Sequence, residues 1–189
     1  PDVTEDRLRR AIRPYPAQYV SSWTMKNGEA VTIRPIRPED EPLMVEFHQK
    51  LSERTVYLRY FQPLKLSQRT AHERLRRICF IDYDREMVLL GIRKGNDGTQ
   101  EVVAVGRLSK LHSRDEAELA VLIHDGFQHL GLGTELYRRL IAIARHEKLR
   151  RLQSTILAEN QEMRAICQKL GFHMHTDMED GTVRAELDL

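Results

Sequence analysis

The sequence predicts an α+β fold, a mostly antiparallel sheet with helices inserted, on three observations. Short β-rich runs cluster in the middle of the chain, "MVLLGI" (Met87 to Ile92) and "VVAVGRL" (Val102 to Leu108), and "RKGNDGTQE" between them carries two glycines with Asn and Asp, the composition of a hairpin turn. Apolar residues recur at helical spacing in the intervening segments. At the C-terminal end Val183, Ala185, Leu187 and Leu189 alternate with Arg184, Glu186 and Asp188, the pattern of a strand with one wet face.

Residues 1–22 are polar and punctuated by proline, and residues 1–25 read as a tail or linker ahead of a single domain spanning 26–189. "AVTIRPI" (Ala30 to Ile36) is the first predicted strand. Prolines and acids in "RPEDEP" mark a helix start, and Leu43, Phe47 and Leu51, recurring every fourth residue, mark one face of that helix. A second helix is expected from Glu53 to Tyr60 and a third from Ser67, as N-cap, to about Ile78. After the hairpin comes a third strand, "AELAVLI" (Ala117 to Ile123). A helix striped by Leu136, Leu140, Ile143 and Ala144 follows, then a strand from Leu152 to Ala158, the helix "NQEMRAICQKL", and a terminal hairpin.

Composition excludes several classes of function. The chain has 189 residues, 41% hydrophobic and 31% charged, which is a globular composition. Lys and Arg outnumber Asp and Glu by only 30 to 28, less than a nucleic-acid partner ordinarily needs. No apolar run approaches the roughly 18 residues of a membrane span. Cys79 and Cys167 sit in no metal or disulfide spacing, which suits a reducing, cytoplasmic setting. The chain opens on Pro1-Asp2 without a methionine and with no signal-peptide pattern, and so reads as part of a longer polypeptide.

The most informative stretch is "FQHLGLGTEL" (Phe127 to Leu136), where a strand gives way to a helix. A helix N-terminus offers unpaired N–H groups and partial positive charge, which together hold a phosphate. Glycines there let the backbone approach it closely. A dinucleotide fingerprint would need a third glycine where Leu136 stands, and a P-loop would need Gly-Lys-Ser/Thr. What remains is Gln128-x-x-Gly131-x-Gly133, or else a glycine pair that only eases a tight turn.

That pattern resembles the acyl-coenzyme A signature of the GNAT N-acetyltransferases. "VTIRPIRPEDEPLM" resembles the family's first strand and helix, "AELAVLIHDGFQ" its fourth strand, and "LAENQEMRAICQKLGF" its fifth strand and the helix closing on Gly171-Phe172. The resemblance covers roughly residues 30–189. "IRPYPAQYV", "RPIRPEDE" and "LSERTVYLRYF" narrow it to the Pat-type protein lysine acetyltransferases, in many of which this domain follows an ADP-forming acyl-CoA synthetase-like region. The first twenty or so residues resemble the end of such a region.

The resemblance implies a GNAT fold whose central strands splay to bind acetyl-CoA as cosubstrate, with no metal. It implies transfer to a lysine of a protein, an acyl-CoA synthetase in particular. The alternatives are acetylation of a small amine and a non-catalytic, acyl-CoA-sensing domain. By position Val121, Leu122 and Ile123 would pair with the pantetheine arm, with Leu122 N–H polarising the thioester carbonyl. Gln128, His129, Leu130, Gly131, Leu132, Gly133 and Thr134 would wrap the pyrophosphate, and Asn160 would contact the cofactor arm or serve as an ordinary N-cap.

A lysine of pKa near 10.4 is neutral only about once in 2500 molecules at pH 7, so a base is needed. Glu118 is the sole ionisable residue in Ala117 to Ile123, a strand expected to lie mid-sheet, where burial would raise its pKa. The family's glutamate base stands in a similar Ala-Glu pair. Glu118 could instead stand at a sheet edge or form an ion pair with a strand neighbour such as Arg107, and Glu116 is the fallback base. Many family members carry a tyrosine acid where this chain has Cys167, which reads as a buried small side chain, a weak acid or an acyl acceptor. His173 and His175 share a strand face without a third ligand. Arg138, Arg139 and Arg145 either reach the 3′-phosphate of CoA or form a solvated helix face.

Overall fold

The computed structural model describes residues 13–113 and 115–189. In chain order its elements are β1 (Ser21–Thr24), β2 (Ala30–Pro35), α1 (Glu41–Gln49), α2 (Glu53–Tyr60), α3 (Leu66–Arg69) and α4 (His72–Cys79). There follow β3 (Glu86–Lys94), β4 (Gln100–Lys110), β5 (Glu116–Ile123), α5 (Leu132–His146), β6 (Arg151–Leu157), α6 (Gln161–Lys169), β7 (His173–Asp177) and β8 (Thr182–Asp188). The strands form one mixed sheet of eight in the order β1-β2-β3-β4-β5-β6-β8-β7, flanked by helices on both faces. This is the expected α+β architecture.

Side-chain alternation along the strands divides the interior into two layers. Ile33, Leu89, Leu108, Leu119 and Leu152 pack under Leu136, Leu140 and Ile143 of α5. Val88, Leu90, Ile92, Val102 and Leu122 pack under Met44, Phe47, Val56 and Leu75 of α1, α2 and α4. The approach of β2 to α1 is pinned by a buried, two-pronged ion pair. Arg34 Nη1 and Nη2 donate to the Asp40 carboxylate at 2.7 and 2.6 Å, and the Arg37 N–H adds a third bond at 2.7 Å. Hydrogen bonding to Asp40 holds the Arg34 guanidinium above its usual range.

The join that matters for function is β5 to β6. It is the one parallel pairing among the described residues, and its ladder runs only from Glu116 to Glu118 against Arg151 to Gln153. β5 stays paired to β4 as far as Ile123, and β6 to β8 as far as Leu157. A wedge-shaped gap is therefore left between β5 and β6.

The hairpin at Gly95–Thr99 and the alternating last strand are as expected. Three expectations need correction. The segment read as a tail contributes β1, paired to β2, and a buried Met25, because the edge strand is too short and polar to carry a period; residues 1–12 lie outside the described residues. The single helix expected from Ser67 is two helices. α3 begins after Lys65 rather than at Ser67 and stops at Thr70, whose hydroxyl donates to the Leu66 carbonyl at 2.8 Å. Beside that break the Arg69 guanidinium turns inward to the His48 and Leu64 carbonyls at 2.7 and 3.1 Å.

Candidate active site

The gap opens into a cavity of about 840 Å³ bounded by β5 from Glu118 to Ile123, β6 from Ser154 to Ile156, α2, and the first turns of α5 and α6. The register of β4 against β5 says which backbone groups face it. Leu111 N–H bonds the Glu116 carbonyl at 2.8 Å and His124 N–H bonds the Val103 carbonyl at 2.9 Å. Antiparallel pairing alternates, so Glu118, Ala120 and Leu122 spend their N–H and C=O groups on β4, while Leu119, Val121 and Ile123 direct theirs toward β6. This corrects the expectation for Leu122, whose amide is committed to the ladder.

The three residues facing the gap are satisfied unequally. The Leu119 carbonyl accepts from Ser154 Oγ at 2.9 Å, so the fully buried Tyr137 hydroxyl, 2.8 Å from Ser154 Oγ, must be the donor to it. Burial pushes the Tyr137 phenol up from its ordinary value. The Ile123 carbonyl accepts from Gln128 Nε2 at 3.2 Å. Val121 N–H and C=O have no partner among the described residues. An extended amide-bearing ligand can complete that strand edge, and the Val121 N–H is free to bond a developing oxyanion.

At the cavity's other end Gly131 adopts φ +91° as N-cap of α5, leaving the N–H groups of Leu132, Gly133 and Thr134 unpaired at the helix start. These amides and the helix dipole suit a phosphate. A Cβ on Gly131 would meet the Trp23 ring at 3.1 Å and Lys26 Cε at 3.5 Å, and one on Gly133 would meet Ile166 Cδ1 at 3.0 Å. Gly131→Val is therefore expected to weaken acetyl-CoA binding at least tenfold by calorimetry with the fold retained. Gly171→Ala, also at positive φ (+87°) but facing open space, is the control for backbone strain alone and should bind normally. Equal loss in both variants would refute the assignment.

The rest of the loop divides by role. Gln128 turns toward α2, donating to Thr55 Oγ1 at 3.0 Å, while Asp125 accepts from Ser52 N–H and Thr55 Oγ1 at 3.1 and 3.0 Å. Those hydrogen bonds hold the Asp125 carboxyl below its usual range, although burial opposes them. His129 is exposed and 3.1 Å from Glu162 of α6. The Leu130 side chain does not line the cavity, although its carbonyl accepts from Lys26 N–H at 3.1 Å; Leu132 is buried in the core, so it contributes through its backbone. Lys26 lines the cavity beside Gly131 and was not legible in the sequence, since only pairing of β1 with β2 brings it there.

Glu118 lies mid-sheet as expected, but the expected burial is absent: its side chain is exposed at the cavity floor, because β6 departs just beyond it. Arg107 is not its partner, being paired with Glu86 at 2.5 Å. Glu116 is outside the cavity lining and approaches Arg151 at 4.0 Å. Cys167 is fully buried away from the lining, and burial pushes its thiol up to about 12, which leaves the structural reading and removes the acid and acyl-acceptor ones. Asn160 caps α6, its Oδ1 accepting from Met163 N–H at 3.2 Å, and lines the cavity too.

His173 and His175 are exposed, and no group of three metal-ligating side chains occurs among the described residues. Arg139 bonds Glu135 at 3.0 Å and Ser21, whereas Arg138 and Arg145 are exposed on α5. No helix among the described residues is long and apolar enough to cross a membrane.

A splayed parallel junction, an edge of free strand backbone and a glycine-started helix meet at one cavity. The profile of the acetyltransferase (GNAT) domain family matches residues 30–173, and the chain belongs to that family. It is 32% identical over 159 residues to the acetyltransferase PA5475 of Pseudomonas aeruginosa, covering 84% of this chain and 83% of that protein. It is 27% identical to the acetyltransferase Pat of Mycolicibacterium smegmatis over 99% of its own length, and spans about half (52%) of that protein. The crystal structure of the GNAT domain of S. lividans PAT superposes with a TM-score of 0.81 at 27% identity, covering 93% of this chain and 99% of that one.

Proposed function

We propose that this chain transfers an acetyl group from acetyl-CoA directly to a lysine side chain of a protein, an acyl-CoA synthetase in particular, with Glu118 as general base. The observation that carries the reading is an exposed carboxylate without a described partner, at the end of the gap where Val121 offers its free N–H. Glu118 takes a proton from the lysine ammonium, and the neutral amine attacks the thioester carbonyl. Val121 N–H bonds the oxygen as it gains charge, in place of Leu122. The C–S bond breaks and the CoA sulfur departs as thiolate without a dedicated acid, since a thiol of pKa near 8.5 leaves readily, and it takes up the second proton lost by the amine nitrogen as the amide forms. Phosphate binding falls to the first turn of α5, with Lys26 adding charge. Likeness to Pat proteins at 27% identity supports a protein acceptor.

The test is the intact mass of an acyl-CoA synthetase after incubation with this chain and acetyl-CoA. A gain of one acetyl group is expected with wild type and not with Glu118→Gln. No gain, with acetyl-CoA binding measurable, would reject that acceptor; equal gain in both would reject the base.

A further inference from the structure

The cavity wall over Glu118 carries a second charged group that the proposed transfer does not use. Arg59, in the last turn of α2, lines the cavity near Glu118 and makes no hydrogen bond or ion pair with any described residue. Its guanidinium lies 5.0 Å from the centre of the Tyr60 ring. Burial holds this guanidinium below its usual range and Arg107 acts in the same direction, while Tyr60, Tyr137 and the Glu118 carboxylate favour its charged form. Arg107 enters from β4 on the same side of the sheet, opposite Ala120, and its Nε is buried without a partner. Arg59 is half-buried, whereas the two fully buried arginines among the described residues are paired, Arg34 with Asp40 and Arg69 with two carbonyls.

An idle guanidinium inside a cavity presents a planar fork of donors that matches a carboxylate. Helix α2 holds it over the sheet face on which Glu118 stands. α5, whose first turn suits the phosphates, packs on the opposite face. We infer that Arg59 binds a carboxylate carried by the acceptor beside its reactive amine, so that acceptors with an acidic neighbour to the lysine are selected. The inference rests on the proposed lysine transfer and adds to it a rule for choosing the lysine.

The experiment compares two synthetic peptides, one with a lysine flanked by aspartates and one with the same lysine flanked by asparagines, with acetyl-CoA as donor. Wild type is expected to favour the aspartate peptide at least tenfold in kcat/KM. Arg59→Ala should abolish that preference while changing the asparagine peptide less than about twofold, and Arg59→Lys should restore part of it. Equal loss on both peptides would overturn the assignment and make Arg59 a support for Glu118 or the fold. No preference in wild type would also overturn it. So would a dependence on Arg59 that appears only when succinyl-CoA replaces acetyl-CoA, since the carboxylate would then belong to the donor. If neither peptide is acetylated, the protein-lysine reading fails separately, and free lysine against its decarboxylated analogue cadaverine tests Arg59 by the same criterion. Absence of product from that pair too would overturn the assignment.

Discussion

Replacing Glu118 with glutamine is expected to lower kcat for acetyl transfer by roughly 10²-fold or more, with acetyl-CoA affinity within about twofold of wild type. The side chain keeps its size and place on β5, so only the ability to accept a proton is removed. The size follows from the acceptor: at pH 7 about one lysine in 2500 is already neutral, and the variant depends on that fraction. The neutral fraction rises about tenfold per pH unit until the pH nears 10.4. The variant's rate should therefore climb steeply between pH 7 and 9, and the gap to wild type should narrow. Parallel pH–rate profiles would show that Glu118 does not handle the proton. Because Glu118 is exposed, the role proposed for it rests on position at the end of the gap rather than on burial.

The second large effect lies away from the cavity. Asp40→Ala is expected to destabilise the fold by about 3–5 kcal/mol, the loss typical when one partner of a buried ion pair is removed. Asp40 and Arg34 are 3% and 8% exposed, and the substitution orphans both prongs of the guanidinium as well as the Arg37 N–H. For a chain of this length that corresponds to a melting temperature lower by roughly 6–20 °C. Urea unfolding with a shifted midpoint checks it. Arg34→Met combined with Asp40→Ala should recover part of the loss, because the double variant buries no unpaired charge. A single-variant loss under about 1 kcal/mol would mean that water reaches the pair.

Much of the fold was legible because its signals are local. Apolar spacing marks α5, alternation marks β8, and Gly95 with Asn96, Asp97 and Gly98 marks the turn between β3 and β4. Gln128-x-x-Gly131-x-Gly133 was equally plain, since Gly131, at φ +91°, takes a backbone conformation that glycine adopts at no steric cost.

Other features have no local signature. β1 is four residues long, and only pairing with β2 makes it a strand and brings Trp23 and Lys26 against Gly131. Whether the amide of Val121 or of Leu122 faces the gap is a parity set by where β5 joins β4, and shifting that register by one residue would exchange them. The environment of Glu118 depends on β6 leaving the ladder at Gln153, and that of Arg59 on which turn of α2 overlies the sheet. The sequence by itself determined the order of most elements and the glycine that starts α5. Only the tertiary structure decided which backbone groups are free and which charges lack partners, because both depend on pairing between segments far apart in the chain.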